Sequence, residues 1–97
     1  MHLFYKLVDR VPVPCEWDDP TRFDRGWWRV GLNTLHGVTV STVFLGLNHN
    51  HSEHGGPILF ETMIFGGPLD QHQTRYETYA EAEQGHADMC LVAFGEP

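Results

Sequence analysis

The chain has 97 residues, 41% of them hydrophobic and 20% charged. That is globular composition, long enough to close one small core and too short to join a nucleotide-binding domain to a substrate domain. Thirteen Asp and Glu against six Lys and Arg give a formal charge of −7. No Lys or Arg lies between Arg29 and Arg75 or after Arg75. Because a phosphate backbone is held by such cations, direct nucleic-acid binding is not expected. The acidity suits a basic partner or solubility.

Residues 2–8, HLFYKLV, read as a short strand with Leu3, Tyr5 and Leu7 on one face. Residues 9–26 hold three prolines and alternating charges, which exclude a regular helix or a central strand. Val11, Val13, Trp17 and Phe23 are too apolar for a free linker, so this stretch reads as an ordered, irregular segment across the surface. Residues 27–35 form a second strand with Trp28, Val30 and Leu32 on one face. Residues 38–47 form a third, joined to it by a tight hairpin at His36-Gly37. Residues 58–65, ILFETMIF, form a fourth, ended by Gly66-Gly67-Pro68. Residues 48–57 and 66–77 read as polar loops.

Thr78-Tyr79-Ala80-Glu81 fits a capping box and opens the one helix, which ends near Phe94-Gly95. Tyr79, Ala82, His86, Met89, Cys90 and Ala93 recur at helical spacing as its buried stripe. Gly85 interrupts the helix at a cost of about 1 kcal/mol relative to Ala, which points to close approach of helix and sheet. The expected fold is α+β: about four antiparallel strands with one C-terminal helix packed on one sheet face, in a single domain spanning 1–97. The third and fourth strands are apolar on both faces, and one helix covers only one. The other face calls for residues 9–26 or a second copy of the chain; a homodimer is the expectation.

Cys15 and Cys90 lie far apart and give neither a disulfide framework nor zinc spacing. No signal-peptide pattern and no apolar run of about eighteen residues appears. The expected setting is the cytoplasm, with reduced thiols and no membrane.

Three constellations carry chemistry. His49, His51 and His54 fall within six residues beside Glu53, close enough for weak metal ligation. The loop has no HExxH helix or cysteine partner, and solvated histidines are the plainer reading; no metal and no cofactor is expected. Glu61 shares a strand face with Leu59, Met63 and Phe65, and His86 sits on the apolar helix stripe. If the helix packs on that face the two can meet, as a general base or a structural strut. Arg75 and Tyr76 follow Gly66-Gly67, whose backbone N–H groups could join Arg75 in gripping an anion. Neither Ser41, Ser52 nor Cys15 has a nucleophile's surroundings. Trp17 and Trp27, if exposed, suit a protein interface.

The segments VSTVFLGLNH (40–49), LFETMIFGGPLD (59–70) and RYETYAEAEQGH (75–86) together resemble a family of small uncharacterised bacteriophage and prophage proteins. The likeness covers roughly residues 28–90. The family commonly has Asp-His after its first strand, where this chain has Asn48-His49. The resemblance implies a protein made in an infected bacterium and no known catalytic activity. The leading expectation is therefore a phage accessory protein that binds and modulates a host protein, such as a defence component. The alternatives are an oligomer that sequesters a small ligand or nucleotide, and a small metal-dependent enzyme using the histidine loop or Glu61 with His86.

Overall fold

The structure is a computed structural model that describes residues 3–23, 28–52 and 54–95. It is α+β. Strands β1 (Tyr5–Val8) and β2 (Val11–Pro14) form a two-stranded hairpin. Strands β3 (Arg29–Leu35), β4 (Val38–Phe44), β5 (Phe60–Phe65) and β6 (Gln73–Tyr76) form an antiparallel sheet in the order β3-β4-β5-β6. Helix α1 (Tyr79–Phe94) lies along one face of that sheet.

The expected strand count holds with a different membership. Residues 5–8 pair with β2 rather than joining the large sheet, and β6 takes the fourth place, inside a stretch read as loop. The stretch read as irregular contains β2 despite Pro12 and Pro14. The β1–β2 turn has only two residues, Asp9 and Arg10, both at positive φ. Val8 and Val11 therefore close the ladder, and Tyr5↔Pro14 and Leu7↔Pro12 occupy the pairs that exchange no hydrogen bonds. Both proline nitrogens thus face away from β1, where a missing N–H costs nothing. β6 is a polar edge strand, QTRY, with no apolar alternation to announce it.

The His36-Gly37 turn forms as expected, with φ of 51° and 79° joining β3 to β4. A bulge between Arg29 and Gly31 inserts one residue into β3. One extra residue flips the alternation. The expected shared face of Trp28, Val30 and Leu32 is thereby split: Trp28 and Val30 pack on the core while Leu32 is half-exposed.

The helix packs on the face carrying Val40, Thr42 and Phe44 of β4 and Phe60, Thr62 and Ile64 of β5, all essentially buried. One core cluster gathers Tyr5, Phe44, Leu59, Phe60 and Ala82; the other joins Val40, Ile64 and Met89. Tyr5 enters because the hairpin is tied to the chain after β4 by the Phe4↔Leu47 bridge and by Tyr5 N–H to Gly46 O at 3.0 Å. The capping box at Thr78 and Glu81 is present, and the helix ends at Gly95. A Cβ on Gly85 would collide with the Tyr76 hydroxyl and ring, so the glycine exists for the close approach inferred from the sequence. Among the described residues no helix is long and apolar enough to cross a membrane.

Candidate functional site

The two sheet faces place the candidate residues in two separate groups. On the helix-covered face, His86 comes down over Gly31, where a Cβ would meet the imidazole at 2.7 Å. Its Nε2 lies 2.6 Å from Asn33 Oδ1, and its Nδ1 lies 2.7 Å from Thr42 Oγ1. An amide oxygen only accepts, so Nε2 carries the proton and the neutral ring's Nδ1 accepts from the Thr42 hydroxyl. That commits the Thr42 proton, so the Thr62 hydroxyl donates to Thr42 Oγ1. The Cys90 thiol also approaches Asn33 Oδ1, at 3.8 Å. Burial lowers the His86 pKa and raises that of Cys90. Both shifts favour the neutral forms that this one-directional chain requires.

The order hydroxyl–imidazole–amide has the outline of a nucleophile with its base and orienter. Accessibility decides against that use: Thr42 and Thr62 are each 0% exposed, so no substrate reaches the hydroxyls. The thiol of Cys90, raised by burial, is held as thiol rather than as a nucleophilic thiolate. The network satisfies polar groups inside a helix–sheet interface and fixes the helix in one register on the sheet.

The expected Glu61–His86 contact does not form. β5 alternates, and the buried members are Phe60, Thr62 and Ile64, so Glu61 points to the opposite face from the helix. There its Oε2 lies 2.9 Å from Arg75 Nε across the β5–β6 ladder, where the two residues are direct partners. His49 sits near this pair. Burial lowers its pKa, with Arg75 adding to the fall and Glu61 opposing it. Arg75 and Glu61 thus share the open face, and the guanidinium already has a carboxylate.

That pairing also removes the anion grip expected from Gly66, Gly67 and Arg75. The Gly66 N–H donates to Asp70 Oδ1 at 2.7 Å, so the loop supplies its own anion. Tyr76 turns the other way, half-buried under the helix, with its hydroxyl buried and without a hydrogen-bond partner.

The histidine loop is braced rather than loose. Asn48 Oδ1 accepts from the N–H groups of Asn50 and Ile58, and Asn50 Nδ2 donates to the carbonyls of His54 and Gly56. The bracing leaves His51 and His54 exposed while His49 turns inward. Among the described residues no three His, Cys, Asp or Glu gather to hold a metal ion; Glu53 lies outside them. Trp17 is 67% exposed, as an interface residue would be, and Trp27 lies outside the described residues.

Sequence reasoning singled out His86 but missed Asn33, Thr42 and Thr62. A signal existed: Thr42 and Thr62 alternate with Val40, Phe44, Phe60 and Ile64. Three polar residues on three apolar stripes are one another's natural partners.

The remaining surface of interest is the sheet face away from the helix. Leu32, Val43, Met63 and Phe65 lie on it, and Leu32 and Phe65 are 48% and 47% exposed. None of the named elements packs there. Of the segment after β2, the described residues are tied to β1 and to the chain after β4: Lys6 pairs with Asp19 at 2.9 Å, and Arg22 donates to Gly46 O at 2.7 Å. Comparison with known protein families, curated proteins and solved structures gives no match.

Proposed function

We propose that the protein is a phage-encoded accessory protein that acts by binding, without catalysis, and inhibits a host protein such as a defence component in the cytoplasm of the infected cell. The observation that carries this reading is the open sheet face. Its apolar centre of Leu32, Val43, Met63 and Phe65 sits on a small acidic chain whose most enzyme-like constellation has its two hydroxyls sealed under the helix. Exposed apolar surface of this kind serves association.

A second copy of the chain is the occupant of that face. The net charge of −7 would oppose self-association, but the face is locally balanced, with Glu61 and Arg75 side by side. A two-fold axis sets Glu61 of each protomer against Arg75 of the other and needs no further complement. The host protein then meets the helix side of the dimer.

Native mass spectrometry of tagged protein, purified gently from a bacterial lysate, tests the reading. A dimer of the 11.1 kDa chain carrying one host protein in fixed ratio supports it. A bare monomer contradicts the dimer. An added mass of a few hundred daltons, or one metal ion per chain, replaces the reading with ligand sequestration or metal-dependent catalysis.

A further inference from the structure

The edge of the sheet at β6 lies beside a groove that runs along the flank of α1. Its upper part, about 240 Å³, lies between Thr74 and Tyr76 of the strand and Gly85, Asp88 and Val92 of the helix. A second hollow of about 150 Å³, lined by Leu69, Pro68 and Ile64 among others, shares Val92 and continues it toward the helix C-terminus. The floor is apolar, and the upper rim holds a carboxylate.

The strand bordering the groove has main-chain groups to spare. Ile64 N–H donates to His72 O and Leu59 N–H to Tyr76 O, so His72, Thr74 and Tyr76 turn their backbone toward β5. The alternation of an antiparallel ladder then points the N–H and C=O of Gln73 and Arg75 outward. Among the described residues no strand pairs with them. β6 has neither the proline nor the lysine that commonly guards an edge, and the Arg75 side chain is drawn onto the open face by Glu61. The opposite edge, β3, is guarded by its bulge.

We propose that this edge and groove form a peptide-binding site that takes an extended segment of the host protein as a fifth strand. Main-chain bonds to Gln73 and Arg75 hold the segment. Its alternate side chains fall into the groove against Val92 and Leu69, which are 60% and 37% exposed. Charge selects the class of segment. From Tyr76 to Gly95 the chain carries Glu77, Glu81, Glu83 and Asp88 and no Lys or Arg. The favoured ligand alternates apolar residues with Lys or Arg. The inference rests on the modulator reading and names the kind of partner it needs.

The test is selection of peptides of roughly ten residues from a random library on the full chain, the length an edge strand and groove can engage. Binding is then mapped on the backbone amides by NMR. The selected peptides should alternate apolar and basic residues and should shift Gln73, Arg75 and Val92. Gln73→Pro removes one outward N–H without touching the β5 ladder, and Val92→Glu places a charge on the apolar floor. Each should weaken binding by about tenfold, the worth of one lost hydrogen bond or apolar contact. Peptides that instead shift Val43 and Met63, or affinities unmoved by both variants, overturn the site. If host-protein capture survives both variants, the groove fails and the modulator reading stands. If peptides bind as described but the wild-type chain captures no host protein, the site stands and the modulator reading fails.

Discussion

The two faces of the four-stranded sheet are built from the same two strands and do opposite things. The even-numbered residues of β4 and β5 face the helix, and of their polar members Thr42 is hydrogen-bonded both to Thr62 and to His86. The odd-numbered residues, Val43, Glu61, Met63 and Phe65 among them, are half-buried or exposed, and their charges are answered by a neighbour on the same face. One face commits its apolar area to the fold; the other leaves Leu32 and Phe65 about half-exposed. A buried hydroxyl on the first face is strut material, whereas an apolar side chain on the second is available surface.

Truncation separates the faces most strongly. Phe60→Ala, on the covered face, should cost about 3–5 kcal/mol in urea unfolding. Leu32→Ser, on the open face, should stay within about 0.5 kcal/mol of wild type when the protein is monomeric. Equal costs would erase the distinction. Next comes Gly85→Ala. Helix propensity alone would gain about 1 kcal/mol. The Tyr76 ring already occupies the Cβ position, so the variant should instead lose about 1–3 kcal/mol through overpacking.

Thr42→Val keeps the shape but removes the donor to His86 Nδ1 and the acceptor for Thr62. It should cost about 1–3 kcal/mol, the penalty of leaving buried polar groups unpaired. The His86 ring should also change tautomer or orientation, visible in its nitrogen shifts. The smallest effect is on pH. Burial holds the folded pKa of His86 below the 6.5 of the free side chain, so the unfolded chain binds more protons in that range. The His86 contribution is complete above pH 6.5 and is lost as pH falls through the folded pKa. His49, also lowered, acts with the same sign. Comparing His86→Gln and His49→Gln separates the two: each should flatten part of the slope of stability against pH. Asp19, lowered to about 2 by its hydrogen bonds from Thr21 and Lys6, adds a separate loss only as pH falls from 3.8 toward 2.

The contrast also shows what a sequence makes legible. The helix was readable to the residue because its signals are local: Thr78 and Glu81 cap each other three residues apart, and Gly95 ends the last turn. The His36-Gly37 turn and the runs at 38–47 and 58–65 were readable for the same reason. β2 and β6 were not: two prolines interrupt β2, and β6, QTRY, has no apolar alternation to display. Whether Pro12 and Pro14 are tolerated depends on which pairs of a ladder bond, which the turn decides. The bulge after Arg29 is equally silent and moves Leu32 to the other face.

At the site, residue choice was more legible than residue pairing. Glu61 and His86 each stood out as polar on an apolar stripe, and both do have buried or paired lives. Which sheet face the helix would choose is a tertiary outcome: Phe44, Phe60 and Ile64 on one side outweigh Met63 and Phe65 on the other. That choice gave His86 to Thr42 and Asn33, and Glu61 to Arg75.

The central claim is that the open face is association surface, and sedimentation equilibrium at micromolar concentration tests it most directly. The wild-type chain should sediment at twice the 11.1 kDa chain mass. Val43→Glu, which sets a charge in the middle of the face and leaves the covered core untouched, should sediment as a folded monomer. A monomeric wild type, or a Val43→Glu variant that stays dimeric, would contradict the account.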